Sequence, residues 1–293
     1  MKSIFKNEAA KVKLLEWYEK FKKKIKHPLE SRLVETSFGE THVLVGGPKN
    51  GQPLVLLHGA LASSAHVLSE VTSLMDNFRV YSVDIIGQSP KSADNRLSVK
   101  NNDYGKLMVE VLDELKLDKP NVVAVSWGGF VAIRTAVHAP ERINKLVLLV
   151  PAGMVNGPAW AGLTKLAFPM YLYKKNPSAE RLKNFAKNLL TTLDDDWMPY
   201  IGEAFLSFNM NMQVPKLAKK NELENFNSPT FVVGADMDLS FPGEKVLSKA
   251  NEIFPNLKHT QLLENSKHSP PTTDEFRTWL SEQIKTFLET TQV

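Results

Sequence analysis

Three short runs of the chain are apolar at nearly every position: LVLL at Leu54–Leu57, VVAV at Val122–Val125 and KLVLLV at Lys145–Val150. A strand with one wet face alternates polar and apolar residues, so a run that stays apolar is buried on both faces. Helical patterns separate these runs, at Ser64–Met75, Asp103–Leu115 and Gly128–His138. Strands joined by crossover helices require a mostly parallel sheet with helices on both sides, an α/β architecture. Further strand-like runs lie at Arg32–Thr36, His42–Val45, Arg79–Val83, Thr230–Gly234 and Thr260–Leu263, and an amphipathic helix is predicted over Thr273–Leu288. Asn50-Gly51 supplies a turn. The surrounding GGPKNGQP has the first and last glycines of a phosphate-binding loop, but Gln52-Pro53 stands where Lys-Ser/Thr is needed, so it too reads as a turn.

With 293 residues the chain can hold one large domain with an insertion or two ordinary domains. The alternation decides, because it lapses between Gly153 and about Ser228. GPAW, FPMYLYKK, NFAKNLLTTL, DDDWMPYIGEAFLSF and NMNMQVP read there as helices broken by prolines. The expected layout is an N-terminal amphipathic extension over 1–30, a core over 31–152 and 229–293, and a helical cap over 153–228. The cap's aromatic and Met content suits a lid over an apolar pocket, and equally suits packing of the cap on the core.

Composition narrows the chemistry. The chain has no cysteine, which excludes disulfides, thiolate catalysis, cysteine-bound zinc and iron–sulfur clusters. Hydrophobic residues make up 43% and charged residues 23%, the balance of a globular protein with a large core. The first residues carry too many charges for a secretory segment, and no stretch approaches eighteen uninterrupted apolar residues, so a cytoplasmic protein without stable membrane insertion is expected. Much of the formal charge of +4 lies between Lys20 and Lys26. Leu14, Tyr18, Phe21 and Ile25 recur beside it at helical spacing, so the run reads as the solvated face of a docked helix rather than a nucleic-acid or membrane contact. Oligomeric state is left open.

Four segments carry the chemistry. In NVVAVSWGGF a strand ends on Ser126 and turns at once into a helix, the pattern of a nucleophile elbow. The residues two before and two after such a serine must be small, and they are Ala124 and Gly128; the usual glycine at the first position is replaced. A serine capping the following helix is the plainer alternative. In LVLLHGALASS a buried strand ends at His58-Gly59, where the backbone N–H of Ala60, with that of Trp127, is placed to meet a developing oxyanion. His58 itself is read as holding the loop. In FVVGADMDLSFPGEKV a strand ends in a loop with Asp236 and Asp238, and in HTQLLENSKHSPPTTDEF another ends before His268. Serine, acid and histidine follow in that order, each on a loop after a core strand.

From about Arg32 onward the sequence resembles the α/β-hydrolase superfamily through HGALASS, VDIIGQSPKS, VSWGG, GADMDLSFP and NSKHSPP, and within it bacterial carboxylesterases with a helical cap. The resemblance implies a serine hydrolase acting on a small-molecule ester through an acyl-enzyme, with Ser126 as nucleophile, His268 as base, Asp238 as the acid and Ala60 and Trp127 as oxyanion donors. The spacing from Asp238 to Pro242 resembles the turn after the acid in such enzymes and favours it over Asp236. No cofactor or metal is implied. A serine nucleophile disfavours haloalkane dehalogenase and epoxide hydrolase chemistry. VSWGG is also similar to the elbow of proline iminopeptidases, for which Asp194, Asp195 and Asp196 would offer amine-binding carboxylates; a helix N-terminus explains the same acids. A hydrolase-like binding or signalling protein with little turnover is the other alternative.

Overall fold

The computed structural model describes residues 3–210 and 213–290. The doubly buried runs become the middle of an eight-stranded sheet ordered β1-β2-β4-β3-β5-β6-β7-β8. β1 (Leu29–Val34) and β2 (Thr41–Gly46) form an antiparallel hairpin, and β2 lies antiparallel to β4 (Phe78–Val83). From β4 onward every pairing is parallel, through β3 (Gln52–Leu57), β5 (Asn121–Val125), β6 (Leu146–Leu149), β7 (Thr230–Ala235) and β8 (Leu257–Leu263).

Helices cover both faces. α3 (Asp103–Glu114), α4 (Trp127–His138) and α9 (Gly243–Ile253) pack on one face around Tyr104, Phe130 and Ile133. α2 (Ser64–Glu70) and α10 (Asp274–Glu289) cover the other, around Leu68, Leu280 and Ile284. The buried Lys145 ammonium ends α10 by donating to the carbonyls of Phe287, Leu288 and Thr290 at 3.1, 2.8 and 2.6 Å. These are among the carbonyls that a helix C-terminus leaves unpaired, at its negative end.

α1 (Glu8–Lys22) starts at Asn7, whose side chain accepts from the Ala10 amide. Its stripe of Leu14, Tyr18 and Phe21, continued by Ile25, is at most 7% exposed, so this face is packed against the body of the protein. Trp17 and Phe21 meet Tyr200 of α8 (Trp197–Ser207) edge-on, while Lys20 and Lys24 both pair with Asp196 at the start of that helix. Ahead of α1, Phe5 bridges Phe208, and Asn209 donates to the carbonyls of Ser3 and Phe5. The basic residues thus sit on a helix whose apolar side is occupied.

Between β6 and β7 the chain forms α5 (Ala159–Ala161), a π-helical stretch (Gly162–Ala167), α6 (Phe168–Lys175), α7 (Ala179–Ala186) and α8. Several expected elements are corrected. The helix over Ser64–Met75 breaks at Val71, whose φ of −134° is not helical, and resumes as a 3₁₀ turn over Thr72–Asp76. The strand expected at Arg32–Thr36 runs instead over Leu29–Val34. NFAKNLLTTL is helical only in its first three residues: Lys187–Leu190 turn back on the end of α7, and from Leu189 onward the segment bonds to the loop carrying His268. NMNMQVP is not helical at Asn209, Met210 or 213–215, and its residues 211–212 lie outside the described residues.

Candidate active site

Ser126 stands where β5 ends and α4 begins, in the strained conformation φ 50°, ψ −110°. A non-glycine residue adopts a positive φ only where its surroundings enforce it. Here the Ser126 amide donates to Leu149 O at 2.9 Å, and its carbonyl accepts from Gly129 and Ala152. Gly128 explains the need for a small residue: a Cβ there would meet Leu57 O at 2.5 Å. Ala124, fully buried in β5, is accommodated in the position usually held by glycine.

Ser126 Oγ lies 2.8 Å from His268 Nε2, and His268 Nδ1 lies 2.7 Å from Asp238 Oδ2. Asp238 Oδ1 accepts from the amides of Ser240 and Phe241 at 2.7 and 3.0 Å, which fixes the carboxylate. With that anion opposite it, His268 carries its proton on Nδ1 and presents Nε2 as an acceptor to the serine hydroxyl. Burial is the largest influence on His268 and by itself lowers its pKa, but the charge and hydrogen bond of Asp238 outweigh it and raise the pKa above 6.5.

Asp236 faces elsewhere. Its two oxygens accept from the amides of Asn265 and Ser266 at 2.9 and 3.0 Å, tying the loop after β7 to the loop after β8. These bonds hold its carboxyl below the usual range against the opposing effect of desolvation.

The loop after β3 passes directly beside the serine, for a Cβ on Gly59 would lie 3.5 Å from that of Ser126. His58 is completely buried, accepts from the Ile85 amide on Nε2 at 3.0 Å and so donates from Nδ1 to Gly59 O. It holds the loop and does not reach Ser126. Leu61, at φ 56°, gives its N–H to Gln88 Oε1 and accepts from Tyr200 Oη at 2.5 Å. Among the described residues the Ala60 N–H has no such partner. The Trp127 N–H opens α4 and is one of the donors that a helix's first turn leaves unused.

A cavity of about 370 Å³ opens at Ser126 and His268 and is mostly apolar, with Trp127, Phe241, Ile201 and Phe205 on its walls. His66, also on its wall, stacks on Trp197 at 3.9 Å. Burial, reinforced by the nearby cations Lys24 and Arg277, lowers its pKa to about 3, so this ring is neutral. Among the described residues no group of three or more His, Asp or Glu side chains could hold a metal ion, and no helix is long and apolar enough to cross a membrane.

Sequence reasoning missed how the inserted segment grips the histidine loop. Leu190 pairs with Ser269 as a parallel bridge, Ser269 N donates to Leu189 O, and the Thr191 hydroxyl accepts from Lys267 N and donates to Ser269 O. Trp197 Nε1 adds a bond to Ser269 Oγ at 3.0 Å. Asp194 accepts from the amides of Asp196 and Trp197 and from the Thr272 hydroxyl, Asp196 is paired with the lysines of α1, and Asp195 is exposed. None of these three acids lines the cavity.

Residues 52–274 match the family model for the alpha/beta hydrolase fold. Two curated relatives, both from Bacillus subtilis (strain 168), are similar over one stretch: an uncharacterized carboxylesterase, Nap, 37% identical over 123 residues, and carboxylesterase YbfK, 37% identical over 127 residues. The stretches cover 42% and 43% of this chain, and 41% and 43% of those proteins, so the sequence match spans under half of each relative. The solved structure of naproxen esterase (carboxylesterase NP) from Bacillus subtilis superposes with a TM-score of 0.82 at 21% identity, over 97% of this chain and all of that one. At that identity the likeness is one of fold.

Proposed function

The chain belongs to the α/β-hydrolase family, and on that premise we propose that it is a serine hydrolase cleaving carboxylic esters of small or medium apolar substrates through an acyl-enzyme. The observation that carries this reading is the continuous hydrogen-bonded chain Ser126–His268–Asp238 at the mouth of an apolar cavity. Ser126 Oγ attacks the ester carbonyl carbon as its proton passes to His268 Nε2. The charge left on the carbonyl oxygen is met by the N–H groups of Ala60 and Trp127, and Asp238 stabilises the imidazolium. Collapse of the tetrahedral species breaks the bond to the alcohol oxygen, which leaves with the His268 proton. Water, deprotonated by the same imidazole, then attacks the acyl-enzyme and releases the acid.

The segment over 153–228 acts in this reading as a cap whose residues 189–192 hold the base in place. The aminopeptidase alternative loses support from the engagement of Asp194 and Asp196 outside the cavity. The test is a panel of esters, lactones, thioesters and aminoacyl amides given in parallel to the wild type and to Ser126→Ala. Ester turnover that depends on Ser126 is expected. Faster cleavage of N-terminal prolyl substrates reverses the order of the two readings, and negligible turnover with tight binding of a small ligand points to a non-catalytic protein.

A further inference from the structure

The cavity does not stop beneath Ser126. It continues between the sheet and the pair α2 and α10, where its floor is laid by aliphatic side chains of the central strands. Leu56, Val123 and Val147 are in direct register across β3, β5 and β6, and Leu149 opposes Val233 nearer the strand ends. Val67 of α2 and Val71 just after it close one side; Leu280 and Ile284 of α10, four residues apart on one stripe, close the other. All of these side chains are at most 7% exposed, so the space lies inside the core itself.

Protein interiors are close-packed, and a void among aliphatic side chains forfeits contacts that a larger residue would restore. The sequence nevertheless keeps valine at five of these positions. The side chains that form the floor and sides carry no polar atom, and an apolar void of that kind receives hydrocarbon rather than water. Its outer side is sealed by an ion pair that joins the two helices: Arg277 Nε and Nη2 donate to Glu70 Oε2 and Oε1 at 2.8 and 3.0 Å. Both residues line the cavity and both remain partly exposed, at 29% and 22%, so the pair stands between the arm and solvent.

We infer that this buried arm receives one extended, unbranched hydrocarbon chain of the ester, and that the Glu70–Arg277 pair is the wall that limits its length. The inference rests on the ester-hydrolase reading and narrows its substrate class to straight-chain esters. A chain could arrive as the acyl group or as the alcohol, and two substrate series separate these sources: p-nitrophenyl alkanoates from acetate to laurate, and n-alkyl acetates over the same lengths.

In one of the two series kcat/KM is expected to climb by about fourfold per methylene, equivalent to about 0.8 kcal/mol each, until the arm is full. Leu280→Phe, which fills the arm, moves the plateau to shorter chains; Arg277→Ala, which opens the wall, moves it to longer ones. Calorimetry with decanoate on Ser126→Ala reads occupancy without turnover, and Leu280→Phe in that background should weaken binding about tenfold. No climb in either series, plateaus that ignore both substitutions, or no decanoate binding overturns the arm. Absence of both ester turnover and fluorophosphonate labelling at Ser126 removes the hydrolase reading itself.

Discussion

Asp236 and Asp238 stand two residues apart after β7 and grip the same neighbouring loop by different handles. Asp238 meets the imidazole of His268, whereas Asp236 holds the backbone amides of Asn265 and Ser266. Charge and tautomer control therefore fall to one carboxylate, and placement of the loop to the other. Asp238→Asn is expected to fold and to lose about 10⁴ in kcat, because the amide favours the wrong imidazole tautomer. Asp236→Asn should cost far less in kcat and show mainly as a lowered Tm. A folded Asp238→Asn protein with near-normal kcat, beside a dead Asp236→Asn, would falsify the division.

The balance of forces on His268 sets a pH profile. Only neutral imidazole accepts the serine proton, so kcat/KM should rise with pH through a value above the ordinary 6.5. Stability moves the other way. The folded pKa is raised, so the His268–Asp238 pairing contributes fully below the unfolded value and is lost as pH rises through the folded one. Thermal unfolding of wild type against His268→Gln across that interval checks the sign: the Tm difference should shrink as activity grows. A difference that widens with pH contradicts the raised value.

In the proposed mechanism Ala60 gives an oxyanion donor whose N–H has no other partner among the described residues. Ala60→Pro deletes this N–H and is expected to lower kcat by about 10²–10³, the usual effect of losing one oxyanion donor. Tm reports whether the loop still folds. A folded variant with unimpaired kcat moves the oxyanion to other groups.

Lys145 gives a stability prediction away from the site. Lys145→Met keeps the length of the stem and leaves three carbonyls near the end of α10 without their charged donor. Hydrogen bonds to charged groups are worth about 1.5–3 kcal/mol, and a loss of that order should appear in urea unfolding with little change in kcat. An unchanged midpoint removes this cap from the account.

The docked face of α1 gives another. Phe21 is 1% exposed and touches both His66 and Tyr200. Phe21→Ala should cost about 3–5 kcal/mol. Lys20→Gln with Lys24→Gln should cost much less, since exposed ion pairs are worth about 0.2–1 kcal/mol each. Salt-sensitive cosedimentation of the full chain with anionic vesicles, abolished by the double lysine change, would instead make the basic face a membrane contact.

The central strands were legible because burial on both faces writes itself into local sequence, as in NVVAV and KLVLLV. The loops that carry Ser126 and Asp238 were legible for a related reason, since each follows such a strand; the His268 loop follows β8, an edge strand of mostly half-exposed residues, and was legible only from its polar run before the last helix. What escaped were structures whose partners are distant. Leu189–Thr192 reads as helical, yet the Leu189 carbonyl and the Thr191 amide are satisfied by the backbone of Ser269, far along the chain. The buried carboxylate of Asp84 gathers His42, Ser64 and Ser89 at 2.6–2.8 Å, and nothing in VDIIGQS foretells the first two. Glu70 and Arg277 are likewise ordinary surface residues of amphipathic helices until the fold sets them face to face.

The clasp between α1 and α8 also orders events in time. The contact of Phe5 with Asn209 spans 204 residues and that of Lys24 with Asp196 spans 172. During synthesis the leading helix is made first and meets α2 and the β2 strand early, through Tyr18 with Ser64 and His42. Its remaining apolar edge, Trp17 and Phe21, waits for Tyr200. Closing so long a loop carries an entropy cost that grows only slowly with length, about 0.6 kcal/mol per doubling, so the delay is kinetic more than energetic. Closure of the clasp therefore follows the synthesis of α8, and a chain halted before that helix leaves Trp17 and Phe21 without Tyr200.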